Sequence, residues 1–187
     1  METKLPELGR FAEPALLIVI FVASMISATT SLPAISEELA TRALGVYPSL
    51  AFTAVAFVMV LLAENARIPV DNPATHLELT MIHEAMLLEY SARHLALLEW
   101  AAALKLFNYT CIGFALFLPW GMSAGAGPYA LAGAVVVLAV KLFLAGAALA
   151  LVETVSAKLR VFRAPEFLAT AFMFGMLGLL VHVLLGA

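Results

Sequence analysis

The sequence predicts an all-α fold: a polytopic membrane helical bundle of about five transmembrane helices, with one more helix at the cytoplasmic face. Three observations predict it. Hydrophobic residues make up 64% of the 187 and charged residues 12%, with mean hydropathy +1.02, whereas a soluble domain holds roughly 45–50% apolar and about 25% charged residues. Five apolar stretches approach the ~20 residues that a helix needs to cross a hydrocarbon core of about 30 Å. Proline and glycine signals separate them, at Pro33, Gly45 to Pro48, Pro119 with Gly121, "GAGP" and Pro165.

The elements follow in order. The opening "METKLPELGRFAEP" is polar and carries Glu2, Glu7 and Glu13. It lacks the basic, apolar, small-residue order of a cleavable signal peptide, so the first apolar segment, 14–32, is read as a retained span. Spans at 48–64, 94–119, 129–152 and 167–187 complete a single integral membrane domain covering 1–187. The loop 64–93 is too polar to cross. Within it Leu77, Met81 and Leu88, then Ala92 and Leu95, recur at helical steps after Pro73, which predicts an interfacial helix running into the third span. A second polar loop covers 153–166.

Basic residues orient the stack. Lys4, Arg10, Arg67, Arg93, Lys158, Arg160 and Arg163 fall on one side and Arg42 alone on the other. The excess marks the cytoplasmic side, so the N-terminus is expected inside and the C-terminus outside. The net charge of −3, with no Lys/Arg cluster to neutralise phosphates, gives no sign of nucleic-acid binding. Cys111 is the single cysteine, and an iron–sulfur cluster takes several thiolates. No cofactor is therefore expected on this chain, and any electron transfer belongs to other subunits.

The ionisable residues in or beside the spans are the candidate site. Glu13, Glu64, Glu89, Glu99 and Glu153, with Lys105 and Lys141, occupy positions where a charge costs about 2.5–3.5 kcal/mol at the bilayer centre. Such groups are kept where they line a polar interior, pair across helices and pass protons. Glu13 and Glu153 equally suit a membrane boundary, and Lys141 can snorkel outward. Glu99, flanked by Leu97, Leu98 and Trp100, is read as facing a polar interior. Glu78 and Glu89, close to three turns apart, suit either one functional face or a solvated one. His76, His83 and His182 lack a third ligand at metal spacing and are read as surface or interfacial residues. Tyr90 and Trp100 read as interfacial anchors. No nucleophile triad or phosphate loop is present, so no catalytic residue is assigned.

The stretch "AENARIPVDNPATHLEL", followed by "EYS" and "LALLEW", resembles the signature loop of the complex I subunit 1 family. Glu64, Arg67, Pro69, Asp71, Glu78, Glu89, Tyr90, Ser91 and Glu99 occupy the matching positions. Asn72 to His76 replaces the Leu-Pro-Glu run of quinone-dependent members, and residues are inserted around His83 and Glu84. This version, with "FAEPALLIVIF" and "AKLRVFRAPEFL", looks like the branch of membrane-bound nickel–iron hydrogenases, of formate hydrogenlyase subunit 4 and hydrogenase-4 component C type. The resemblance covers essentially the whole chain, beginning at what corresponds to the family's fourth helix; the first three are expected to be lacking.

The resemblance implies a non-catalytic subunit in the inner membrane of a prokaryote, part of a redox-driven ion pump. Its partners would be hydrogenase-like large and small subunits, an iron–sulfur subunit and antiporter-like membrane subunits, with nickel–iron and iron–sulfur centres held by those partners. Glu13, Glu64, Glu78, Glu89 and Glu99 would line a proton path, joined by Lys105, Lys141 and Glu153. Arg67, Asp71, Arg93, Arg160, Arg163 and Glu166 would meet the peripheral arm. Two alternatives stay open: a subunit of a quinone-reducing NADH dehydrogenase, and an independent secondary transporter. A purely structural anchor is a third.

Overall fold

The computed structural model describes residues 5–41, 48–65, 70–71, 91–121, 127–155, 159–160 and 164–185. It is all-helical apart from one two-residue parallel pairing. Among the described residues six helices run in chain order: α1 (Leu5–Ser27), α2 (Leu32–Thr41), α3 (Pro48–Glu64), α4 (Ala92–Phe117), α5 (Pro128–Val155) and α6 (Ala164–Leu185). The strands β1 (Val70–Asp71) and β2 (Leu159–Arg160) pair in parallel, Val70 opposite Leu159 and Asp71 opposite Arg160. Helices α4, α5 and α6 are long and apolar enough to cross a membrane, and α1 with α2 passes the same test as a bent pair. The protein is thus built for a bilayer, where every backbone polar group must find its partner inside a helix.

The core is the packing of α1, α3 and α6. Buried Val19, Val22 and Ala23 of α1 meet Ala56 and Phe57 of α3, while Ala15, Val60 and Ala171 form a second layer. Helix α6 presents Leu168, Ala171, Gly175, Gly178 and His182 inward, at alternating three- and four-residue steps, which makes one continuous face. Small residues on that face let the backbones approach closely. A Cβ on Gly178 would lie 2.5 Å from Thr53 Oγ1 and 3.0 Å from the Ser49 carbonyl oxygen.

Helix α4 packs on α3 and α2, and its Phe117 ring lies 5.5 Å from that of Phe57. Helix α5 leans on α4 and buries none of its residues. An apolar cleft of about 680 Å³ separates α3, α4 and α5, lined among others by Phe57, Leu61, Leu106, Phe114 and Leu149. A helix apolar all round and uncovered by protein is suited to lipid or to neighbouring membrane helices.

The stretch expected as one span at 14–32 is two elements. Helix α1 starts at Leu5, earlier than expected, and ends at Ser27; α2 leaves it at 57°. Pro33 was taken for a turn, but it lies in the first turn of α2, where a missing N–H costs nothing. The bend passes through Ala28 at φ 52°. The Ser24 hydroxyl holds it by donating to the Thr29 carbonyl at 2.7 Å, and the Ser27 hydroxyl donates to the Ala23 carbonyl at 2.7 Å. The interfacial helix expected after Pro73 lies outside the described residues.

Candidate functional site

Helix α3 ends at Glu64, and α4 runs antiparallel past that end, so the middle of α4 is level with it. There the Lys105 amine donates to Glu64 Oε2 at 2.7 Å and to the Glu64 carbonyl oxygen at 2.8 Å. One ammonium thus meets both a carboxylate and an orphan carbonyl of the α3 terminus, two acceptors that a helix C-terminus in a bilayer must satisfy. The Glu64 side chain is 20% exposed and that of Lys105 45%.

Tyr109, one turn after Lys105, places its ring 5.9 Å from the Lys105 amine. Its hydroxyl lies in the electric field of Glu64, Lys105 and Glu13. Asn65 extends the polar end: its side-chain amide donates to the Leu61 carbonyl at 2.8 Å, and its Oδ1 is buried with no hydrogen-bond partner. Pro14, inside α1 beside Glu13, removes one N–H from that helix. Carboxylates, an ammonium and a phenol are therefore gathered at one end of the core. Sequence reasoning missed Tyr109 and Asn65; the spacing from Lys105 to Tyr109, i to i+4, was the readable signal.

The remaining candidates distribute as follows. Glu13 is exposed, near enough to act on Tyr109. Glu99 is exposed on α4. Glu153 is exposed near the end of α5, Arg93 is exposed in the first turn of α4, and Glu166 is exposed in the first turn of α6. Asp71 and Arg160, 89 positions apart in sequence, are register partners in the β1–β2 pairing. Glu78, Glu89, Arg67 and Arg163 lie outside the described residues.

Among the described residues Lys141 is not brought to a carboxylate. Its amine donates to the Leu118 carbonyl at 2.6 Å and to the Trp120 carbonyl, between the Phe114 and Trp120 rings. It caps the C-terminal end of α4, where carbonyls have no intrahelical donor. Gly121 turns the chain beyond, with φ 79° and no room for a Cβ against Val137. Lys141→Met is expected to cost about 1–3 kcal/mol by stranding those carbonyls, with Lys141→Arg close to wild type. Amide exchange at 118–121, faster in the Met variant alone, checks it.

His182, expected at the surface, is 5% exposed, with Nδ1 unpartnered. The reason is its place on the inward face of α6, one turn after Gly178. Ser27, Ser36, Ser49 and Thr53 are the other buried polar residues described.

Known proteins have related sequences. A family model for NADH dehydrogenase matches residues 10–184. Formate hydrogenlyase subunit 4 of Escherichia coli (strain K12) is 27% identical over 170 residues, which is 91% of this chain and 54% of that protein. The chain therefore spans about half the length of the curated relative it matches. With nearly all of its residues inside the family match, the chain belongs to the NADH dehydrogenase family, that of complex I subunit 1.

Proposed function

We propose that this chain is a membrane anchor and proton-path subunit of a redox-driven complex, of membrane-bound hydrogenase or formate hydrogenlyase type. The observation that carries the reading is the Glu64–Lys105 pair, held between the short apolar helix α3 and the span-length helix α4, at the end of the core beside Glu13 and Tyr109. Family membership and the likeness to formate hydrogenlyase subunit 4 support it.

The chemistry is that of a charge pair that a proton can open. With Glu64 ionised, the lysine is held on the carboxylate. A proton arriving on Glu64 cancels that attraction, which at low dielectric is several times stronger than in water. Lys105 is then free to turn toward another carboxylate, and Glu64 can pass its proton on as the pair re-forms. Glu78, Glu89, Glu99 and Glu153 extend the path in this reading. Asp71, Arg160, Arg67, Arg93, Arg163 and Glu166 form the face toward the peripheral arm. With one cysteine in the sequence, the chain does not supply the thiolates of a metal centre. Nickel–iron and iron–sulfur groups belong to hydrogenase-like and iron–sulfur partners, with antiporter-like subunits alongside in the inner membrane, N-terminus inside.

Purification from native membranes in mild detergent tests this. Nickel- and iron–sulfur-containing subunits should accompany the chain, and inverted vesicles should take up protons when given the electron donor. Quinone-reductase subunits in their place would assign the chain to an NADH dehydrogenase. Proton movement by the purified chain alone in liposomes would make it a transporter and overturn the reading.

A further inference from the structure

The core is polar at both ends and apolar between them. Down the inward face of α6, Ala171 packs with Ala15 and Val60. A Cβ on Gly175 would lie 3.1 Å from Ile18 and 3.9 Å from Ala56, and one on Gly178 would meet Thr53 and Ser49. Helix α6 thus runs antiparallel to α3 and parallel to α1. His182, one turn further on, falls level with the start of α3, about 20 Å along the axis from Glu64. The buried polar residues described all lie toward that far end. Ser27 is in the last turn of α1, Ser36 in α2, Ser49 and Thr53 in the first two turns of α3, and His182 in the last turn of α6.

Of these, imidazole alone gains and loses a proton near neutral pH. His182 is 5% exposed, and its Nδ1 is sealed from solvent with no hydrogen-bond partner among the described residues. Glu13 of α1 and Glu64 of α3, the helices packed on α6, stand at the other end of the core, as does Glu166 in the first turn of α6 itself. No described charge therefore neighbours the ring. A buried ring nitrogen left unpaired is unfavourable, and a leucine or phenylalanine would fill the place without that cost. Such an atom is kept where water completes it or where it serves chemistry. We infer that His182 is the far proton-holding residue of the path, taking a proton on Nδ1 from an ordered water and returning it from that nitrogen to water at the far end of the core. The ring passes from neutral imidazole to imidazolium and back, and only the Nδ1–H bond forms and breaks. The inference rests on the proposed proton path and adds a second fixed station to it.

The test uses the complex in inverted vesicles. His182→Phe keeps an aromatic ring and removes the unpaired nitrogen. The purified variant should melt at or above wild type, yet its complex should take up protons at least about ten-fold more slowly. His182→Asn should slow uptake equally. With nitrogen-15-labelled histidine, solid-state NMR of the wild type should show magnetisation passing from water to one ring whose signal is missing from His182→Phe. Unimpaired uptake by both variants would overturn the inference. So would uptake that falls only in step with a lowered melting temperature, or a His182 ring without water contact. The two readings fail separately. Uptake abolished by Glu64→Gln but kept by both His182 variants removes only this inference, whereas uptake untouched by Glu64→Gln removes the path itself.

Discussion

Gly178→Val is expected to separate α3 from α6 and to lower the melting temperature of the purified protein by about 10 °C. Its new Cβ would meet Thr53 Oγ1 at 2.5 Å and the Ser49 carbonyl oxygen at 3.0 Å. Neither obstacle yields easily. The carbonyl is main chain, and the Thr53 hydroxyl already donates to that same oxygen at 2.6 Å. Overpacking typically costs about 1–3 kcal/mol; a branched side chain against backbone belongs at the upper end, and each kcal/mol shifts a domain of this size by about 2–4 °C. Gly146→Ala is the control, because nothing lies within 4 Å of its added Cβ, and it should melt at or slightly above wild type. Equal melting of Gly178→Val and wild type would refute the tight crossing.

Lys105→Met is expected to reduce redox-driven proton uptake by at least about ten-fold while the complex still assembles. The substitution removes the donor to the Glu64 carboxylate and to the carbonyl that closes α3. Stability should change little, by about 1 kcal/mol, because the pair is partly exposed. Transport should change much more, because in the proposed path the Glu64 carboxylate would lose the cation that it holds and releases. Glu64→Gln with Lys105→Met should assemble normally and remain uncoupled. Uptake measured in inverted vesicles, normalised to assembled complex, decides. Unimpaired uptake by both variants would make the pair a structural clip.

The helical fold was legible because long apolar runs leave a bilayer protein no other choice, and α4, α5 and α6 follow directly from them. What was not legible depends on distance in sequence. Lys105 and Glu64 are brought together by the register of α4 on α3, which periodicity within either helix does not contain. Asp71 and Arg160 likewise meet only because β1 and β2 pair. Helix α2 escaped notice because proline stops a helix from inside yet suits its first turn, and Pro33 was read the first way. His182 was hidden for a simpler reason. Its inward face is written in Leu168, Ala171, Gly175 and Gly178, but a histidine near a chain end invites the solvent reading. Lys141 was grouped with the carboxylates on charge alone, whereas its partners are main-chain carbonyls, which no charge pattern reveals.

The shortness of α3 has an electrical consequence. Its 17 residues span about 25 Å, less than the ~30 Å of hydrocarbon, and it stops among Glu13, Glu64, Asn65 and Lys105. Groups of that kind draw water inward, so the membrane voltage does not fall evenly over the full thickness there. Under the proposed role, it would fall across the thinner dry layer that remains along α3. A proton crossing only that layer does the same work, about 2.3 kcal/mol per 100 mV, over a shorter distance. In the proposed proton path, the stub of α3 would thus steepen the field felt by a proton leaving Glu64.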